Sequence, residues 1–125
     1  MKENYYNGNI LELWLEEGIL HGIYKVDKVD LQTAKMATQE RLSFTLEKSY
    51  PVLTDYSKVK DTTKEARDYL STEEPSKGIK AIALIIDSSV GKVIYNFFIA
   101  LNKPDYPMQV FNDPLQAKEW LKKYR

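Results

Sequence analysis

The side chains able to do chemistry in this chain are few. There is one histidine and no cysteine, which removes disulfides, thiolate metal sites, cysteine nucleophiles and most histidine-based metal or triad arrangements. His21 shares the face of an alternating run with Ile19 and Ile23, beside Gly22, and reads as a structural hydrogen-bonding residue rather than a catalyst. The carboxylate pairs Glu16-Glu17 and Glu73-Glu74 fall at turn or helix ends. They read as solvated, without the burial that general acid work requires. Ser88 and Ser89, in Asp87-Ser88-Ser89-Val90-Gly91-Lys92, follow an apolar run and open a helix, where free N–H groups would hold an anion. The full glycine spacing of a phosphate loop is missing, and no base is placed in sequence to activate either hydroxyl. Thr62 and Glu65 have the spacing of a capping box, with the Thr62 oxygen accepting from a helix N–H and Glu65 bonding back. Phosphate at the same helix start would also be favoured, because free N–H groups and the helix dipole attract negative charge. Trp14 and Trp120 read as packing residues. These residues suggest no metal site and no cofactor.

The elements that position these residues follow from periodicity. In Ile10 to Glu16, Leu11, Leu13 and Leu15 alternate with Glu12, Trp14 and Glu16, the pattern of a half-buried strand. Glu17-Gly18 separates it from the run Ile19 to Tyr24, which predicts a tight hairpin. Asp30 precedes a helix over 31–45 with Leu31, Ala34, Ala37 or Thr38, and Leu42 on one face. Tyr50 to Asp55 reads as a short strand with Pro51 at its entrance. A short helix begins near Thr62, carries Ala66, Tyr69 and Leu70, and stops at Glu73-Glu74-Pro75. Ile79 to Ile86 is continuous enough in apolar character to be a central strand covered on both faces, which places it mid-sheet. Pro107 to Phe111 is the last strand, and Asp113-Pro114 opens a final helix through Trp120, Leu121 and Tyr124, with proline at its first position.

The helix over 88–102 is the most unusual element. Val90, Val93, Ile94, Phe97, Ala100 and Leu101 form one apolar stripe, and Tyr95, Phe98 and Ile99 form a second beside it. Such a helix is either covered twice within the chain or offers Tyr95, Phe98 and Ile99 to a partner, a second copy or an apolar ligand.

The order is therefore ββαβαβαβα. It predicts an α/β domain with a mixed, mostly parallel five-stranded sheet, an antiparallel edge strand and about four helices. Residues 1–9 read as a polar N-terminal segment and 10–125 as a single domain. A length of 125 residues, 43% of them hydrophobic, suits one core. Eighteen basic and eighteen acidic residues balance to a formal net charge of zero, so nothing draws the chain to nucleic acid. The polar N-terminus shows no targeting signal, and no apolar run reaches the ~20 residues of a membrane span, so the expected location is cytoplasmic.

This order resembles the STAS domain (sulfate transporter and anti-sigma-factor antagonist) and the related CRAL-TRIO lipid-transfer superfold. Two stretches carry the likeness. Residues 50–63, Tyr-Pro-Val-Leu-Thr-Asp-Tyr-Ser-Lys-Val-Lys-Asp-Thr-Thr, are similar to the STAS strand, its Asp-x-Ser turn and the Asp-Ser-Ser helix start. Residues 111–121, Phe-Asn-Asp-Pro-Leu-Gln-Ala-Lys-Glu-Trp-Leu, look like the closing strand-to-helix segment of small bacterial STAS-like proteins. The resemblance implies a non-enzymatic protein-interaction module, expected as a homodimer or with a protein partner. By position it makes Asp61 a contact residue and Thr62 or Thr63 the phosphorylation candidate. The family's turn continues with glycine, whereas Thr63 is followed here by Lys64-Glu65. The CRAL-TRIO side of the resemblance implies the alternative, a binding module for a small apolar ligand or lipid, with Tyr95, Phe98 and Ile99 as its walls.

Overall fold

Alternation in the first half of the chain translates directly into strands. The computed structural model describes residues 2–87, 91–92, 95 and 104–125. In chain order the elements are β1 (Glu3–Asn7), β2 (Leu11–Glu16), β3 (Ile19–Tyr24), β4 (Lys28–Val29), α1 (Leu31–Thr45), β5 (Tyr50–Asp55) and β6 (Asp61–Thr62). There follow α2 (Lys64–Leu70), α3 (Glu73–Ser76), β7 (Ile79–Ile85), β8 (Met108–Phe111) and α4 (Pro114–Leu121), which runs on into a 3-10 turn over Lys122–Tyr124. Gly91, Lys92 and Tyr95 are helical; Ser88, Ser89, Phe98 and Ile99 lie outside the described residues.

The main sheet has the order β1-β2-β3-β5-β7-β8. The hairpins β1–β2 and β2–β3 are antiparallel, and β3–β5, β5–β7 and β7–β8 are parallel. The mixed α/β architecture with an antiparallel edge is the one expected, but the sheet has six strands rather than five. The added strand is β1, from the stretch read as a polar segment ahead of the domain. All its residues are exposed, so no apolar alternation marks it. Backbone pairing brings it onto β2, helped by the Tyr5 hydroxyl donating to the Glu12 carboxylate and by the Tyr6 ring against Phe44.

Local chemistry explains the joints. Glu17 and Gly18 both have positive φ, 55° and 76°, as a two-residue turn matched to strand twist requires. Asp30 caps α1 by accepting from the Thr33 N–H at 2.9 Å, and Asp113 caps α4 by accepting from Leu115 with Pro114 following. Pro51 is the second residue of β5, where the register with β7 shifts; a bulge is the place an interior strand tolerates a missing N–H.

Three details differ from expectation. The cap of α2 is Thr63, whose hydroxyl accepts from the Ala66 N–H at 3.2 Å. Thr62, one residue earlier, belongs to β6 and pairs with Val29 of β4, so the Thr62–Glu65 capping box does not form. Glu73-Glu74-Pro75 do not simply end α2: they open α3, because proline is tolerated in a first helical turn. Finally, the buried face of α1 is Ala34, Ala37, Thr38, Arg41 and Thr45, while Leu31 is exposed.

The two faces of the sheet are packed differently. On one, Ile19, Leu53, Ala81, Ala83, Ile85 and Phe111 meet Ala117 and Leu121 of α4. On the other, Leu11, Leu13, Leu20 and Val52 meet Ala37 of α1, and Leu84 and Val110 pack with Ala34 and with Ala66 of α2. Each large side chain buried here contributes roughly 1.5–3 kcal/mol. The second face contains the cavity.

Candidate binding cavity

Small residues on α1 leave space above the sheet. Ala37 and Thr38 face β2, β3 and β5, and Gly22 of β3 presents no side chain, so a cavity of about 190 Å³ remains between them. Its floor is Leu11, Leu13, Val52, Thr54, Ile82 and Leu84. Arg67, Leu70 and Ser71 close one side with Pro75 of α3, and Tyr95, Pro104 and Tyr106 close another. A Cβ on Gly22 would lie 3.2 Å from Leu13 Cδ2, so any larger residue would crowd the floor.

Four tyrosines line this space: Tyr24, Tyr56, Tyr95 and Tyr106. Tyr24 and Tyr56 meet edge-on with centroids 4.8 Å apart, and Tyr56 and Tyr95 do so at 5.9 Å, geometries favoured by ring quadrupoles. The Tyr56 and Thr62 hydroxyls are hydrogen-bonded at 2.6 Å. Burial pushes the Tyr24 phenol up to about 12 and raises Tyr56, Tyr95 and Tyr106 as well. All four are neutral phenols at neutral pH. Among the described residues the lining has no carboxylate, imidazole or amine, so it offers polar anchors in an apolar space but no general base.

Two cations break that neutrality: half-buried Arg67, which donates to the Thr62 carbonyl at 2.7 Å, and Arg41. Arg41 is only 8% exposed, and its guanidinium donates to the backbone carbonyls of Lys77 at 2.8 Å and Pro75 at 2.6 Å. Those carbonyls lie just before Gly78, whose φ of 76° makes the turn from α3 into β7; a Cβ there would sit 3.0 Å from the Lys48 carbonyl oxygen. The ion pairs among the described residues are Lys64–Asp68, Lys118–Glu17 and Lys122–Glu119, all elsewhere. Burial pulls Arg41 below the usual arginine value, and the opposing influences come from the phenols of Tyr24, Tyr106 and Tyr69. A guanidinium nevertheless keeps its proton in proteins.

The residues singled out from the sequence are partly brought together. Thr62 and Tyr95 both line the cavity, an association the sequence reading did not make. Thr62 is buried, Thr63 half-buried and Asp61 exposed. Asp87 is exposed at the end of β7. Arg41 was missed, although the signal was present: it falls in phase with Ala34, Ala37, Thr38 and Thr45. Tyr24 was passed over as an ordinary strand residue and Tyr56 as the middle of the Asp-x-Ser turn.

His21 lies on the opposite face of the sheet. Its ring stacks on Trp14 with centroids 5.1 Å apart and planes 12° from parallel, and its Nε2 is buried without a hydrogen-bond partner among the described residues. Trp120 packs against Phe111 and Tyr124. Among the described residues no group of three or more histidines and carboxylates could hold a metal ion, and no helix is long and apolar enough to cross a membrane.

A six-stranded mixed sheet with helices on both faces and this strand order gives the chain a STAS-like α/β fold. A crystal structure of an uncharacterized protein of the DUF3478 family from Shewanella loihica PV-4, described as having a SpoIIAA-like fold, superposes with a TM-score of 0.64 at 15% identity. The alignment covers 93% of this chain and 98% of that one. At that identity the likeness shows the fold alone. The chain belongs to the family described as a domain of unknown function (DUF7793), whose model matches residues 13–125. That match starts within β2 and takes in every other element around the cavity. A search of curated proteins finds no match.

Proposed function

We propose that this domain is a non-enzymatic binding module that takes a small, largely apolar ligand into the cavity between the sheet and α1–α2. The observation that carries this reading is the cavity itself: about 190 Å³, with mostly aliphatic and aromatic walls, and bounded by Tyr95 of the segment singled out in sequence. An apolar cavity of about 150 Å³ is enough to bind benzene, so a ring or short chain has room. The protein-contact reading draws on the fold and on Asp61, the exposed member of the 61–63 turn. Its switch at Thr62 has less support, because the Thr62 hydroxyl is buried against Tyr56, whereas Thr63 is more accessible.

Native mass spectrometry at gentle activation tests the proposal. A monomer carrying a low-mass adduct that is lost on denaturation is the expected result. A clean dimer without adduct, unchanged after incubation with toluene, overturns it and returns the question to protein contact.

A further inference from the structure

The cavity is apolar, yet a buried cation stands in its wall without an acidic partner. Arg41 has five N–H donors; its two hydrogen bonds to protein go to the neutral carbonyls of Pro75 and Lys77. The undescribed segments contain no Asp or Glu, so every side-chain carboxylate of the chain is accounted for, and none forms an ion pair with Arg41. The nearest candidate in sequence, Glu40, is turned away and accepts from the Ile10 and Leu11 N–H groups. A guanidinium so placed satisfies part of its hydrogen-bonding capacity and none of its charge, and a planar carboxylate is the group its fork matches best.

We infer that the ligand is a small apolar monocarboxylate, its carboxylate against Arg41 at the α3–β7 end of the cavity and its hydrocarbon body over Leu13, Val52 and Ile82. This rests on the cavity being a binding site and adds the ligand's class. The neutral phenols of Tyr24 and Tyr106 near the guanidinium supply donors for a carboxylate oxygen and do not compete with it for the charge. The size limits the body to a ring with a short tail or a chain of comparable volume, on the scale of the benzene-sized cavity above.

Isothermal titration calorimetry on the intact chain decides it, with phenylacetate and hexanoate set against their uncharged counterparts 2-phenylethanol and hexanol. The parent is expected to bind at least one acid about tenfold or more tighter than its alcohol, a gap worth about 1.4 kcal/mol. Arg41→Gln should abolish that preference while still taking up the alcohol. If Arg41→Gln fails to fold, the acid-to-alcohol ratio in the parent still decides. An alcohol binding as tightly as its acid overturns the carboxylate inference and leaves the cavity reading standing. An acid preference that survives in folded Arg41→Gln overturns the assignment to Arg41. Absence of binding by all four compounds, together with native spectra free of adduct, overturns both readings.

Discussion

At the residue scale, two side chains of similar rank in the sequence have opposite fates. Thr62 and Thr63 adjoin, but only Thr63 caps α2, and Thr62 is held in β6 with its hydroxyl on Tyr56. Thr63→Ala should therefore cost about 1 kcal/mol in urea unfolding through the lost cap. A cost within error of zero would show that α2 needs no side-chain cap. His21 makes a pH prediction. Burial holds its pKa below the ordinary value of 6.5, against the opposing field of Glu16, with Lys118, Glu17 and Lys2 contributing smaller effects. The folded state thus favours the neutral ring, while the unfolded chain takes up a proton near pH 6.5. The stabilisation is complete above that pH and is lost as the pH falls from the unfolded value through the folded one. Melting temperature recorded by circular dichroism from about pH 8 to about pH 5 should fall more steeply in the parent than in His21→Phe, which keeps the stack on Trp14 but does not titrate. Parallel curves would mean that His21 takes up its proton in the fold as readily as in the unfolded chain.

At the scale of elements, the hairpin β2–β3, helix α1 and helix α4 were legible because each is announced twice, by periodicity and by a turn or cap residue. Asp30 and Asp113 mark helix starts, and Glu17-Gly18 marks the turn. What could not be read depends on partners distant in the chain. Strand β1 has no buried face to show, and the turn that leads from it into β2 is fixed by Glu40 on α1. The Glu40 carboxylate accepts from the N–H groups of Ile10 at 3.1 Å and Leu11 at 2.9 Å, fixing the entry into β2 beside Gly8, where a Cβ would run into the Glu40 carboxylate. Glu40→Ala leaves both donors unpaired by protein and should destabilise by roughly 2 kcal/mol, since bonds to a charged acceptor are worth roughly 1.5–3 kcal/mol. Hydrogen exchange localises the effect: amides of β1 and the start of β2 should lose protection before those of β5 and β7. Uniform loss across the sheet would show that the contact supports the whole fold rather than one edge. The cavity was illegible for a related reason, because its walls converge from α1, α2, α3, five strands of the main sheet and the β7–β8 connection. Arg41 in a row of alanines and threonines was its one local trace.

At the scale of the whole molecule, the fold divides its labour between the two faces of one sheet. The α4 face is closed by large side chains, Phe111, Trp120 and Leu121, and carries both tryptophans. The α1–α2 face meets the sheet with alanine, threonine and glycine, and that choice of small residues keeps it hollow. A hollow core is a stability deficit, since filling it restores the contacts a void lacks. Thr38 is where this is best tested: it is buried, it lines the cavity, and its hydroxyl only bonds back to the Ala34 carbonyl at 3.0 Å, so an apolar replacement strands no partner. Thr38→Leu extends into the space and also favours the helix. Its urea midpoint should be unchanged or higher, by up to about 1 kcal/mol of added stability, while uptake of phenylacetate or 2-phenylethanol is lost. Overpacking in a filled core would instead cost roughly 1–3 kcal/mol, and that result would mean the space is already occupied by the chain's own atoms. A variant that is more stable and no longer binds would separate the two demands: the small residues of α1 are then kept for the ligand, at the expense of the fold.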